Sequence, residues 1–286
     1  HWKRLVCRQP SNIPSIDTVL KSLLRWSFIW NSSWNSGNFN VQEFNFLKRI
    51  LHPGIIFLLE PEEAILKASD VRVILETQGC SFASEVWEKL ENWIEILEGL
   101  NRRVNLVSRK EIQRIWGRHV LPCVSLLHFR NLPIGVECCD FGSGGGFPGI
   151  PLAICRPDLK MFLLDSRRRK CDALEEMVKS LELKNVEVLC GRGEELGKTR
   201  KWNKRFPVIF ARAVASLEQL DIWTREIRKT DAEIHVFKGG DLKQEFQALH
   251  QNQPRVRWSQ TLLDFEEFPF LSKNQKYIIT LNFKSN

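Results

Sequence analysis

From Pro133 onward the chain alternates short apolar runs with longer amphipathic ones, which is the pattern of a βαβ series. The apolar runs predict strands at 136–141, 160–165, 186–189, 208–212 and 233–237, followed by two terminal strands near 256–263 and 277–283. The amphipathic runs predict helices at 147–155, 167–183, 217–228 and 242–250. A series of this kind predicts an α/β fold with a doubly wound, Rossmann-like sheet.

Two helices are predicted ahead of this series. Apolar residues recur every three or four positions from Val86 to Leu100, which indicates one buried helical face with Ser84 as the N-cap. A second helix is predicted over 109–129, with a kink at Pro122. We therefore expect a small helical layer at 76–130 before the main domain at 131–286.

Residues 1–75 have no clear hydrophobic period and carry no recognisable chemistry. Short helices are predicted near 16–30 and 41–51. We treat this segment as an N-terminal extension without an assigned role, and the residues leave open whether it is native sequence.

Composition favours a soluble enzyme with a polyanionic partner. Hydrophobic residues make up 43% of the chain and charged residues 27%, as in ordinary globular proteins. The net charge of +8 favours polyanionic partners such as nucleic acid, because clustered Lys and Arg gain by releasing counterions from a phosphate backbone. No apolar run is long enough to span a bilayer, so no membrane partner is expected.

The eight cysteines include no C-x-x-C pair, which argues against a zinc site or a disulfide framework. Five of them lie among aliphatic residues, where a free thiol behaves as a small hydrophobe: Cys138, Cys139, Cys155, Cys171 and Cys190. We expect a reducing, cytoplasmic location and no metal.

A glycine-rich loop at 140–149 lies directly between the first predicted strand and the next helix. Gly142, Gly144 and Gly146 permit positive φ and remove Cβ atoms, so a ligand can lie against bare backbone at the carboxyl edge of the sheet. The alternative is a flexible glycine turn. A glycine loop alone does not separate these two interpretations.

Asp165 ends the second predicted strand, where a carboxylate can accept hydrogen bonds from ribose hydroxyls. This position suits an adenosine ligand, either NAD or S-adenosylmethionine. The loop reads D-x-G-x-G-x-G rather than the dinucleotide pattern G-x-G-x-x-G. Asp140 would face the positively charged amino-acid end of S-adenosylmethionine but would repel a pyrophosphate, which favours the methyl donor.

Several short motifs accompany the loop in a fixed order: VNLVS at 104–108, RH at 118–119, FPGIP at 147–151, LLDS at 163–166, EE at 194–195, RA-x-ASL at 212–217 and KGG at 238–240. Their order and spacing resemble the RsmG (GidB) family over roughly 77–283. This resemblance implies a class I methyltransferase fold and S-adenosylmethionine-dependent methylation of guanine N7 in 16S small-subunit ribosomal RNA. The implied partner is that RNA or the small ribosomal subunit, and we expect a monomer.

The resemblance also implies site residues. Gly142 and Phe147 would line the donor pocket, Gly193 and Glu194 would hold the adenine end, and Arg212 would position the donor or the target base. Together with the glycine loop and the carboxylate expected to bind the ribose, these residues form the expected donor-binding set: Gly142, Gly144, Gly146, Phe147, Asp165, Gly193, Glu194 and Arg212. The sequence departs from the family pattern after His119, where the usual acidic residue is missing, and at Arg169-Lys170, where Lys-Arg is common.

N7 of guanine has an available lone pair, so methylation there needs orientation rather than a general base. We therefore expect no acid–base catalytic residue. RNA contacts are expected from basic or polar side chains near the crevice: His119, Arg169, Lys170, Arg192 and Lys238. His119 could instead be a packing residue, and the lysines and arginines could be ordinary solvated charges. Methylation of another RNA, a small molecule or a protein stays an alternative, as does a non-catalytic nucleotide- or RNA-binding module.

Overall fold

The computed structural model describes residues 64–283, and these residues form a seven-stranded sheet in the order β3-β2-β1-β4-β5-β7-β6. Strands β1 to β5 pair in parallel, whereas β7 runs antiparallel to both of its neighbours. The strands are β1 Glu137–Phe141, β2 Lys160–Asp165, β3 Val186–Cys190, β4 Phe206–Arg212, β5 Arg228–Gly239, β6 Arg257–Leu262 and β7 Lys276–Asn282. The predicted doubly wound class I methyltransferase sheet is confirmed.

The strand order reverses between β1 and β4, which lie side by side. In a doubly wound sheet this reversal leaves a crevice at the carboxyl ends of the two strands. The central strands are buried on both faces, as parallel strands require: Cys139 and Ile209 are both fully buried. The core therefore holds rigidly the loops that follow β1, β2 and β4.

Helices connect the strands of the sheet. The predicted helices are confirmed with small shifts at their ends: α5 Gly149–Cys155, α6 Arg168–Ser180, α8 Leu217–Thr224 and α9 Lys243–Asn252. Two one-turn helices were not predicted, α7 Gly193–Leu196 and α10 Phe270–Lys273, because four residues are too few to show a period.

The helical layer before the sheet consists of α1 Ala68–Thr77, α2 Ser84–Asn101, α3 Arg109–Ile112, a π-helix Trp116–Val120, and α4 Leu121–Phe129. The predicted apolar face of α2 is confirmed from Trp87 to Leu100, while Val86 is half-buried. The predicted cap is off by one residue, since the N-cap is Ala83 and its side chain makes no capping hydrogen bond.

The single helix predicted over 109–129 is wrong. The chain forms three short segments there, and Pro122 lies in the first turn of α4 instead of kinking a longer helix. A Cβ on Gly117 would lie 2.7 Å from the Phe268 ring, so this glycine admits Phe268 in the middle of the segment. Glycine is a weak helix former, and Gly117 lies within the π-helix, after the break that follows Ile112.

The predicted boundary at residue 75 falls inside α1, which packs into the layer through Val71, Ile74 and Leu75, all fully buried. The helices predicted near 16–30 and 41–51 lie outside the described residues. Within 64–283, no helix is both long enough and apolar enough to cross a membrane.

The described cysteines are free, and four of the five expected to be buried are so: Cys138, Cys139, Cys155 and Cys171. The prediction that Cys190 is buried is wrong, because this residue ends the edge strand β3 and is exposed. Burial raises the pKa of the Cys138 thiol to about 12, so it is a packing group and not a nucleophile.

Candidate active site

The glycine loop leaves β1 with positive φ at Gly142, Gly144 and Gly146. Two of these glycines are required by packing. A Cβ on Gly142 would lie 2.7 Å from Val214, and a Cβ on Gly146 would lie 2.5 Å from Ile150. The loop after β4, which contains Val214, thus lies directly against the loop after β1.

Gly144 differs from its neighbours because a Cβ there would make only ordinary van der Waals contacts. The nearest atom to a Cβ there would be Lys170 Nζ, at 3.6 Å. At φ +56° its backbone still favours glycine, so the conformation rather than the packing requires it. Gly144 is therefore the bare stretch of backbone that the sequence predicts.

Asp165 lies beside that backbone. Its Oδ2 accepts a hydrogen bond from Gly144 N at 3.0 Å, and its Oδ1 accepts one from Arg167 N at 2.9 Å. The structure thus brings the predicted loop and the predicted acid together. Each carboxylate oxygen retains a second lone pair, so Asp165 can still accept from hydroxyl groups.

Asp140 does not face an open crevice, contrary to expectation. Its side chain is fully buried, and its Oδ2 accepts a hydrogen bond from Gly149 N at 2.9 Å. A Cβ on Gly149 would come within 2.7 Å of this oxygen, so the glycine permits the contact. Asp140 Oδ1 has no hydrogen-bond partner within the described chain. Asp140 anchors the start of α5.

Burial raises the pKa of Asp140 to about 7, from an ordinary value of 3.8. Over this range the folded state holds a proton that the unfolded state releases. The contribution of Asp140 to stability is therefore present below pH 3.8 and is lost as the pH rises towards 7.

Asp140→Asn should accordingly gain stability relative to the wild type as the pH rises from about 4 to about 8. Burial lowers the pKa values of His119 and His235 to about 3, which acts in the opposite direction, but both proteins contain these histidines. Urea unfolding of the two proteins across this pH range measures the difference. If the free energies of unfolding of the two proteins changed with pH in parallel, the raised pKa of the buried Asp140 would be contradicted.

Arg212 ends β4 and contacts the helical layer. Its guanidinium donates to Arg118 O at 2.8 Å and to His119 O at 3.2 Å, and it lies 5.7 Å from the centre of the Phe147 ring. Arg212 thus binds the π-helix segment to the sheet beside the glycine loop. Its predicted contact with the donor or the base stays a prediction.

Phe147, predicted to line the donor pocket, is buried in the same cluster. Its ring centre lies 4.7 Å from that of Trp93 on α2 and 5.0 Å from that of His119. With 6% of its surface exposed, Phe147 supports the glycine loop from behind. The predicted assignment of Trp93 to the core is confirmed.

His119 Nε2 lies 3.1 Å from Glu111 Oε2, and Glu111 also pairs with Arg118. Burial, followed by the charge of Arg212, lowers the pKa of His119 to about 3, so the imidazole is neutral at pH 7. A neutral, packed His119 does not provide the positive charge expected of an RNA contact. Glu111 was not among the predicted site residues, although the S-x-x-E pattern that starts at Ser108 was a signal for it. The Ser108 hydroxyl accepts a hydrogen bond from Glu111 N.

Lys238 was predicted to contact RNA, but its ammonium is already bound. Nζ donates to Ala215 O at 2.6 Å and to Glu245 Oε2 at 2.7 Å. Glu245 Oε2 also accepts from Leu217 N at 2.8 Å, at the start of α8. Lys238 thus holds the loop after β4 in place, and its charge is balanced.

Lys238→Ala should lower the free energy of unfolding by about 1–3 kcal/mol, because a partly buried charged hydrogen bond is lost. If the expected RNA partner binds, the salt dependence of that binding should not change, since no phosphate contact is removed. Lys243→Ala, an exposed change on α9, is the matched control and should leave stability unaltered. A shallower salt dependence in Lys238→Ala would contradict this prediction and would indicate that Lys238 contacts an RNA phosphate.

The remaining predicted residues differ in burial and in their distance from the loop. Lys170 is the side chain nearest Gly144, whereas Arg169 and Arg192 are exposed. Gly193 is buried against Phe141, where a Cβ would lie 2.4 Å from the ring. Glu194 follows it, half-buried, in the first turn of α7.

A cavity of about 350 Å³ opens on the far side of Arg212, at the carboxyl ends of β4 and β5. Its volume lies in the range of small-molecule sites. The lining is basic and aromatic, and it includes Arg118, Arg212, Lys238, Lys276, Phe237, Phe270 and Tyr277, with Glu111 as the acidic member. Phe270 and Tyr277 gave no signal in the sequence, because they belong to a short helix and a terminal strand without a recognised motif.

The sheet order, the glycine loop after β1 and the carboxylate after β2 define a class I methyltransferase. A family model described as GidB, rRNA small subunit methyltransferase G, matches residues 86–267, which is more than half of the chain. The chain belongs to that family.

Curated relatives agree with this assignment. Ribosomal RNA small subunit methyltransferase G from Chlorobium phaeobacteroides is 37% identical over 159 residues, which are 56% of this chain and 69% of the relative. The proteins of the same name from Nocardioides sp. and Streptomyces coelicolor are 36% and 38% identical over 58% and 54% of this chain. These two alignments span 64% and 63% of the relatives, slightly less than two thirds of their length.

Proposed function

We propose that this protein transfers a methyl group from S-adenosylmethionine to N7 of a guanine in small-subunit ribosomal RNA. The observation that carries this proposal is the direct hydrogen bond between the bare loop at Gly144 and Asp165, at the carboxyl edge of the sheet in a chain of this family. Arg212 and the cavity beyond it lie at the same edge.

The residues at this edge suit the methyl donor. Gly144 offers open backbone, and Asp165 has acceptor capacity for ribose hydroxyls. When bound, S-adenosylmethionine supplies an electrophilic methyl group on a positively charged sulfur.

The chain's own contribution is orientation. The N7 lone pair lies in the plane of guanine and carries no proton, so no side chain has to remove one. His119 is consistent with this, since it is neutral, packed against Phe147 and bonded to Glu111. Orientation of two reactants contributes on the order of 7–11 kcal/mol to lowering a barrier, which is sufficient for a major role here.

The cavity beyond Arg212 is the proposed site of the target base. Tyr277 and Phe270 offer ring faces, and single-stranded bases are commonly held by stacking on aromatic side chains. Lys276 lines the same cavity, and its ammonium forms no ion pair within residues 64–283, so it can bind a phosphate or the guanine O6. Of the predicted RNA contacts, the exposed Arg169 and Arg192 remain candidates for the backbone, with Lys170 beside the loop.

Transfer of label from methyl-labelled S-adenosylmethionine tests the function. Unmodified small-subunit RNA and small-subunit particles are offered in parallel, and N7-methylguanine is identified after digestion. Incorporation into either substrate supports the proposal, and the two arms show whether naked RNA or the assembled subunit is preferred. Absence of label from both, with a protein that binds the donor, would overturn the RNA substrate.

A further inference from the structure

A second cavity, of about 230 Å³, opens at the opposite edge of the sheet. It lies where β4, β5 and β6 begin and where β7 ends, so it belongs to the amino ends of the parallel strands. Five basic residues line it and no acidic one does: Lys204, Arg225, Arg228, Lys229 and Arg255. We call it the basic cavity.

The positive charge of the basic cavity is only partly balanced. Asp221 is buried, and its two oxygens bind Arg225 at 2.9 Å and Arg228 at 2.7 Å. Lys204 donates to a neutral acceptor, the carbonyl oxygen of Arg225. Concave surfaces lined by one sign of charge concentrate the field and attract the opposite charge.

Lys229 and Arg255 supply the unbalanced charge. Both are exposed, and neither forms an ion pair within residues 64–283. Two carboxylates besides Asp221 act on this cluster: Glu226 attracts Arg228, and Glu137, which is itself paired with Arg205, attracts Lys229. Three carboxylates against the five lining cations and Arg205 leave an excess of three positive charges.

The floor of the basic cavity is rigid. The Arg228 side chain is 8% exposed and lies 3.8 Å from the centre of the Phe283 ring, so its guanidinium is held by both the ring and Asp221. Burial lowers the pKa of Arg228 from its ordinary value, yet Asp221 keeps it charged. A fixed guanidinium presents paired donors suited to phosphate oxygens.

We propose that the basic cavity binds a backbone phosphate of the RNA substrate, as a second contact remote from the reacting base. This inference rests on the proposed function. Besides the cations, Thr230 and Gln253 add polar groups to the lining, whereas its apolar members are Val256 and Phe283. A polyanion fits this composition, and an apolar ligand does not.

The distance between the two edges limits which RNA can use both sites. β4 starts beside the basic cavity at Phe206 and ends at Arg212, six residues later. At about 3.3 Å per residue, the two sites are roughly 20 Å apart. An RNA that delivers its base at one edge and a phosphate at the other must be folded or long, which predicts that short single-stranded fragments bind without using the basic cavity.

The test compares Lys229→Gln/Arg255→Gln with Lys179→Gln/Lys184→Gln. The control pair removes the same charge from exposed positions after β2 and before β3, outside the basic cavity. Binding of labelled, unmodified small-subunit RNA is measured at several salt concentrations. Loss of two phosphate contacts should reduce the slope of log affinity against log salt by about 2 in the cavity variant and should leave the control slope unchanged.

Two further measurements separate the possible failures. Wild-type methyl transfer to the RNA and S-adenosylmethionine binding by each variant test the proposed function independently of the cavity. If the wild type methylates the RNA while both double variants share its salt slope, the second contact is refuted and the function stands. Lys229→Glu/Arg255→Glu must weaken RNA binding further than the Gln pair does; equal binding, or binding of inorganic phosphate with no effect on RNA, would also refute it.

Discussion

Gly144→Val should abolish S-adenosylmethionine binding while the protein remains folded. A Cβ at Gly144 has room, since its nearest neighbour would be Lys170 Nζ at 3.6 Å. The backbone there has φ +56°, which disfavours a β-branched residue by roughly 1–2 kcal/mol. The valine methyl groups would also cover the open backbone beside Asp165, where the donor is proposed to lie.

Gly135→Val is the matched control for backbone strain. Gly135 also has positive φ, +71°, and nothing lies within 4 Å of its Cβ position, but it precedes β1 at the opposite edge of the sheet. Both variants should lose similar stability, and Gly144→Val alone should lose the donor. Isothermal calorimetry with S-adenosylmethionine and thermal unfolding provide the two readouts. Donor affinity at the wild-type level in Gly144→Val would refute the glycine loop as the donor site.

The sheet was predictable because each element repeats its signal over many residues. β2 was predicted with its observed bounds, because its apolar run lies between a lysine and an aspartate that mark where the strand begins and ends. The doubly wound order then follows from general rules for parallel connections. β5 was predicted too short because its first residues, from Arg228 to Asp231, are polar and pair only across an irregular register with β4.

Placing the site was predictable, but the direction of its side chains was not. The sequence brings Gly144 and Asp165 together because both follow neighbouring parallel strands. It does not reveal that Phe147 turns inward to Trp93, or that Lys238 is bound by Glu245 seven residues later. These contacts depend on tertiary packing between elements whose separate patterns contain no information about one another.

Arg212→Lys should lower the rate of methyl transfer about hundredfold, because small displacements of a positioning group have effects of this size. The guanidinium binds the carbonyl oxygens of Arg118 and His119 together and lies over Phe147. A lysine has a single ammonium and no planar face, so it cannot replace these three contacts. The helical layer would then move relative to the glycine loop and the cavity for the base.

Arg205→Lys is the control for the loss of a guanidinium that makes several contacts at once. Arg205 makes two hydrogen bonds to Glu137 at 2.9 Å and lies 4.6 Å from the centre of the Trp202 ring, at the opposite edge of the sheet. Both variants should be destabilised, but the catalytic rate constant at saturating RNA and donor should fall only in Arg212→Lys. If the two variants lost stability and rate in parallel, Arg212 would be a structural residue alone. A rate loss confined to Arg212→Lys, with donor affinity within a few fold of the wild type, would show that this arginine acts by aligning the helical layer with the edge of the sheet at which methyl transfer is proposed.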